Sequence, residues 1–362
     1  MPLAWLPAVQ KKFKKKRLTS TARWVEYASV DGADPRHSTA GIAQLVEHNL
    51  AKVGVASSSL VSRSRFRKPG PTRPGFFIFG YTAKPRSEPA KDRRRKVKVH
   101  SLYLYPVKSL AGIEVDAFTM DEFGPAGDRR WMLVDDEGRF VTQRKFPQLA
   151  LVKPRIEGVR VSVDVPGEGV FLLQPAAERI HVQVWRDQVE AVSGPVAASA
   201  AISRFCGQSF RFVYMPDDSV RRIDPAYVPE TRRVGFADGF PFLITNQASL
   251  DELNSRLEQP VTMTRFRPNI VVDGAPAWTE DTWRTLRVGG HRFELVKHCS
   301  RCVMTTVDPA TGTKSPDVQP LRTLTQYRKM EGGVIFGMNA IHSGPGTVRV
   351  GDPVVLTHSE SD

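Results

Sequence analysis

GVRVSVDVPGEGVFLL, residues 158–173, carries the pattern that decides the fold. Val159, Val161, Val163 and Val165 fall on every second position, the period that puts one face of a β-strand into a core. Pro166, Gly167, Glu168 and Gly169 then turn the chain, and Val170–Leu173 returns, so the stretch predicts a hairpin. Similar signals lie on either side. Ile180, Val182 and Val184 alternate before Trp185, and Trp131–Val134 and Phe140–Thr142 flank the turn residues Asp135-Asp136-Glu137-Gly138. Many short strands at this spacing argue for a barrel or sandwich.

Beyond this region the periods mix. Ala197–Phe205 reads as a short helix closed by Gly207, Asn246 as the cap of a helix bearing Leu250, Leu253 and Leu257, and Leu321, Leu324 and Tyr327 as another. Strands are expected at 270–272, 285–288, 292–296, 347–350 and 354–356, the last two as a hairpin around Gly351-Asp352-Pro353, and the β-branched run Val303–Val307 as a further strand. The class is therefore β-rich α+β, with a strand-rich segment over 97–215, a second domain over 234–358, and the charged stretch Pro216–Arg233 as the connection.

Net charge misleads at first. The chain has 52 Lys and Arg against 38 Asp and Glu, a net +14, which would suggest nucleic acid or an anionic membrane. Residues 1–96 hold 21 of the basic and 6 of the acidic residues, leaving 31 and 32 for the near-neutral remainder. This extension is expected to be disordered or a gene-model artefact, because Ala40–Pro69 resembles a wrong-frame translation of a transfer-RNA gene and Val97 offers a later start. A transit peptide and an RNA-binding tail are the competing readings. For the body, no nucleic-acid or membrane partner is expected: no run of about 18 apolar residues occurs. Three cysteines without a secretory signal predict a reducing compartment, read as the cytoplasm.

Two of those cysteines stand in HCSRC, His298–Cys302. A thiolate is a soft metal ligand, and positive charge nearby, which Arg301 supplies in sequence, favours that form. From the residues alone a CxxC pair is equally half of a zinc site, with His291 and His298 as further ligands while Cys206 falls in a different domain, a redox dithiol, or a centre using one thiolate.

YPVKSLAG (105–112), DRRW (128–131), FRPNI (266–270), CSRCVMTTVDPATG (299–312) and VGDPV (350–354), in this order, resemble the MOSC-domain proteins that carry an N-terminal MOSC β-barrel domain. Among these are the mitochondrial amidoxime-reducing component and bacterial enzymes that detoxify 6-N-hydroxylaminopurine. The resemblance implies a MOSC N-terminal barrel over 97–215, a MOSC barrel over 234–358 and a molybdenum-pyranopterin cofactor. It further implies that Cys302 is the molybdenum ligand and the catalytic residue, and that Lys108, Ser109, Arg129, Arg267, Asn269 and Ser300 contact the cofactor. Asp238, Thr142, Arg144 and Asn339 match less closely, Asn339 standing where some relatives have tyrosine. Arg267, preceding Pro268, is expected in an extended conformation.

The implied activity is reduction of N–O bonds in small N-hydroxylated substrates, with electrons from a separate ferredoxin or cytochrome b5-like protein and its reductase. The chain ends at Asp362, without a plant-type [2Fe–2S] domain. The alternative is a cofactor carrier or sulfur-transfer module. Pyridoxal phosphate is not expected, since no desulfurase domain is present.

Overall fold

The computed structural model describes residues 96–357, so the expectations for residues 1–95 lie outside it. Along the chain run β1 (Lys98–Leu104), β2 (Ile113–Val115), β3 (Ala117–Asp121), β4 (Gly124–Pro125), β5 (Trp131–Val134), β6 (Lys153–Glu157), β7 (Arg160–Val165), β8 (Gly169–Leu173), β9 (Arg179–Val184), β10 (Asp187–Ser193) and β11 (Arg211–Tyr214). There follow β12 (Phe242–Asn246), β13 (Ile270–Asp273), β14 (Thr285–Val288), β15 (His291–Arg301), β16 (Lys329–Met330), β17 (Gly333–His342), β18 (Gly346–Arg349) and β19 (Val354–Thr357). Three α-helices accompany them among the described residues: α1 (Val196–Cys206), α2 (Gln247–Asn254) and α3 (Leu321–Tyr327). The β-rich α+β expectation holds.

The hairpin read from the valines is β7–β8, paired from Val161 with Leu173 to Val165 with Gly169. Val163 and Val165 are fully buried with Leu173 against Ala198 and Ile202 of α1, each such side chain contributing roughly 1.5–3 kcal/mol. Val159 breaks the series. It is wholly exposed, because it sits in the turn between β6 and β7 rather than in the strand. α1 ends where Gly207 takes a left-handed φ of 68°, and Asn246 caps α2 by accepting from Ala248 N.

Strands β5, β11, β10 and β9 form one sheet, β6–β8 a second and β18, β3 and β4 a third. The largest, nine-stranded sheet runs β19-β14-β15-β17-β12-β13-β1-β2, with β16 added on β17. The sheets interleave the two halves of the sequence: β1 pairs with β13, and β3 with β18. The expected hairpin of the last two strands does not form, because β18 joins β3 while β19 joins β14. The backbone of Gly351 and Asp352 instead exchanges hydrogen bonds with Val99 at the start of β1. The connection is packed too, since Ile223 and Val228 are buried with Val234 and Ile341.

Cys206, in the last turn of α1, lies against the same core as Val163. Burial pushes its thiol up to about 11 from an ordinary 9.0. The folded state therefore holds this proton more tightly than the unfolded chain, and the contribution is complete below pH 9 and lost as pH rises through 11. Thermal midpoints of the native protein are expected to fall more steeply between pH 9 and 11 than those of Cys206→Ala. Parallel slopes by circular dichroism would contradict this.

Candidate functional site

Lys108, Ser109, Arg129, Arg267, Asn269, Ser300, Asp238, Asn339 and Cys302 all line one cleft of about 320 Å³, together with Thr142, Arg144 and Cys299. The structure thus brings together every residue singled out in the sequence for cofactor contact. His291 and His298 are not on its lining, so the additional zinc ligands are not assembled there. No group of three or more His, Cys, Asp or Glu side chains is poised for a metal among the described residues.

Two irregularities aim the cysteine segment. Between Leu295 and Lys297, β15 carries an extra residue opposite β17, and between His298 and Ser300 the extra residue is on β17. Gly337 supplies the second bulge at φ 76°, where a Cβ would lie 2.7 Å from Thr245 and 2.8 Å from Ile244 O. Bulges re-aim side chains by breaking the ladder's alternation. Beyond β15, residues 303–306 form a 3-10 turn rather than the expected strand. The Thr305 and Thr306 hydroxyls, which donate to Cys302 O and Val303 O, close the chain locally and override β propensity.

The charge beside Cys302 comes from elsewhere in the chain than expected. Arg301 turns away, its guanidinium donating to Phe336 O and Phe266 O. Arg144 takes its place, with Nε donating to Cys302 Sγ at 3.2 Å. Asp238 Oδ1 accepts from Lys108 Nζ at 2.5 Å, and its Oδ2 lies 3.5 Å from Arg144 Nη2. Burial pulls the Lys108 ammonium down to about 8, against the Asp238 carboxylate. Burial alone would raise Asp238, but Lys108 and Arg144 reverse this and hold it well below the ordinary carboxylate range.

Behind this rim, Asp128 organises the floor. Its carboxylate accepts from Tyr105 N at 2.8 Å, from Asn269 Nδ2 at 3.2 Å and from Arg129 Nη1 at 2.5 Å. The Arg129 and Arg267 guanidinium carbons lie 4.5 and 4.2 Å from the Tyr105 ring centroid, and a Cβ at Gly112 would overlap that ring. Arg267 Nη1 donates to Leu110 O, while its Nη2 and the Tyr105 hydroxyl are buried without a partner among the described residues. Burial lowers Arg267 to about 10.

Ser109, Arg129 and Arg267 take positive φ values of 66°, 47° and 57°. The expected extended Arg267 is thus corrected. Its N–H donates to Thr264 O at the end of a 3-10 turn, which draws the backbone into the left-handed region. Left-handed non-glycine residues concentrate at functional sites. Trp185, also left-handed, lines the cleft as well, as does Arg265; neither was expected there, nor was Asp128 expected beneath it. The one available signal for Trp185 was a tryptophan in the tight turn between two alternating runs.

In all, Lys108, Arg129, Arg144, Arg265 and Arg267 and the one carboxylate of Asp238 line the same cleft as the Cys302 thiol, and Arg144 is the cation that touches the sulfur. Two family models match the chain: residues 96–209 the MOSC N-terminal beta barrel domain and residues 231–355 the MOSC domain. The chain belongs to the MOSC-domain family that includes the mitochondrial amidoxime-reducing components. Human mitochondrial amidoxime-reducing component 1 is 32% identical over 338 residues, covering 84% of this chain and 99% of its own length. The mouse protein of the same name is 33% identical over 82% of this chain and 97% of its length. Bovine mitochondrial amidoxime reducing component 2 is 32% identical over 72% and 85%.

These names correct the cytoplasmic expectation, since the relatives are named as mitochondrial proteins. Unpaired cysteines report only a reducing environment, which is not unique to the cytosol. No helix among the described residues is long and apolar enough to cross a membrane.

Proposed function

We propose that this protein is a molybdenum-cofactor-dependent oxidoreductase that reduces N-hydroxylated compounds. The observation that carries the reading is one cleft lined by a single cation-contacted thiol, Cys302, and by the fixed cations Lys108, Arg129, Arg144 and Arg267. The donor set fits the group. A pyranopterin phosphate needs fixed cations and hydrogen-bond donors, and the buried, unpartnered Arg267 Nη2 is such a donor. A dithiolene-bound metal needs one protein thiolate rather than four ligands.

Lys108, Ser109, Arg129, Arg267, Asn269 and Ser300 would hold the phosphate and pterin, and Cys302 the molybdenum, with Asp238 and Asn339 at the margin. The bound cofactor would supply two-electron reduction of the N–O bond to the amine and water, with two protons and two electrons from outside. The chain's own contributions are positional. Arg144 holds a positive charge beside Cys302 Sγ, Asp128 locks Arg129 and Asn269 in register, and Asp238 ties Lys108 to the rim. Electrons would come from a separate ferredoxin or cytochrome b5-like protein with its reductase.

A cofactor carrier would bind the same group without turnover. Reduction of benzamidoxime or N-hydroxylaminopurine by the cofactor-loaded protein with a chemical electron donor is the expected result. Stoichiometric cofactor binding with no amine product would favour the carrier.

A further inference from the structure

Trp185 occupies the first of two loop residues joining β9 to β10, where Val184 pairs directly with Asp187. Its φ is 56°, a conformation that short hairpin loops usually give to glycine. A bulky residue is costly there, and hydrophobic burial does not compensate, because 42% of Trp185 is exposed. The exposed ring is nevertheless fixed. Its Nε1 donates to Asp238 Oδ1 at 3.3 Å, the Phe140 ring packs against it at 4.9 Å, and the Arg144 guanidinium lies 4.7 Å from its centroid.

Arg144 is also the residue whose Nε reaches Cys302 Sγ at 3.2 Å. One guanidinium therefore spans from the thiol to the indole. Trp185 is thus an oriented aromatic surface one side chain away from the proposed reacting centre, on the lining of the same cleft. Aromatic faces held this way bind flat π-systems by offset stacking.

We propose that Trp185 is a specificity-determining residue: a stacking platform that selects N-hydroxylated substrates whose reacting group is attached to a planar aromatic or heteroaromatic ring. This rests on the reductase reading above and adds the shape of the substrate to it.

The test uses the cofactor-loaded protein and two amidoximes with the same reacting group, benzamidoxime with a ring and acetamidoxime without. Trp185→Gly removes the ring while placing the residue best suited to φ 56°, so the fold is expected to be retained. The KM for benzamidoxime is expected to rise about tenfold more than that for acetamidoxime, with kcat for benzamidoxime little changed, and Trp185→Phe is expected to restore most of the difference. Equal changes in KM for both compounds would overturn the proposal and leave Trp185 as a brace for Asp238 and Arg144. Should the native protein reduce neither amidoxime, the reductase reading falls. Stacking is then decided separately by calorimetry with benzamidine against acetamidine: a preference for benzamidine that Trp185→Gly abolishes supports it, and no preference overturns it.

Discussion

Cys302→Ala is expected to emerge from purification with molybdenum reduced by more than about 100-fold and with no reductase activity, whereas Cys299→Ala retains both. The two thiols are three residues apart but differ in surroundings. Cys302 Sγ receives a charged donor, Arg144 Nε, at 3.2 Å on the lining of the cation-rich cleft. Cys299 has only a weak contact with Ser300 O at 3.9 Å, and burial pushes its thiol up, towards the protonated form that does not bind metal. Metal analysis by mass spectrometry on both variants, beside far-ultraviolet circular dichroism to show retained fold, decides the matter. Loss of molybdenum in the Cys299 variant alone would reverse the assignment.

The largest effect on stability is expected at Arg328. Its Nη2 lies 2.5 Å from Asp281 Oδ2, with side chains only 9% and 12% exposed, and its guanidinium packs 4.2 Å from the Trp278 ring. Asp281 Oδ1, His298 Nε2 and Arg328 Nε are all buried without hydrogen-bond partners among the described residues, so this ion pair is what compensates the carboxylate. Arg328→Met preserves the aliphatic packing but leaves the buried Asp281 carboxylate with only His298 Nε2 nearby, at 3.9 Å and outside hydrogen-bond range, costing about 3–5 kcal/mol. Adding Asp281→Asn removes the stranded charge, and the double variant is expected to be more stable than Arg328→Met alone. Chemical denaturation of the three proteins measures the coupling. A single-variant loss below about 1 kcal/mol would show that Asp281 is compensated elsewhere.

What the sequence disclosed and what it concealed divides along a physical line. The β7–β8 hairpin, α1 with its Gly207 terminus and α2 with its Asn246 cap depend on neighbours within a few residues, and periodicity and capping chemistry capture them. The fates of β18 and β19 do not. Their turn resembles a hairpin, but each strand finds a stronger partner far away in sequence. The Val303–Val307 run has strand propensity, and two threonine hydroxyls cancel it. Within the cleft, ordered sequence blocks pointed to Lys108, Ser109, Arg129, Arg267 and Cys302. The role of Asp128 and the exchange of Arg301 for Arg144 beside the thiol arise from residues remote in sequence, which no local pattern reports.

The pairing of Lys98 with Asp273 also bears on how the protein comes into being. Of the described strands β1 leaves the ribosome first, with Leu102 destined for complete burial; β2 can pair with one edge at once, yet the other edge stays open until Ile270 has emerged. Loop-closure entropy must be met before this contact gives any return, so topology makes completion of the nine-stranded sheet slow. Through that interval the nascent chain carries an adhesive apolar strand, the kind of segment that aggregates or recruits a chaperone. Neither half matures alone: the cleft takes Lys108 and Arg129 from the early part of the described chain and Cys302 and Asn339 from the late part.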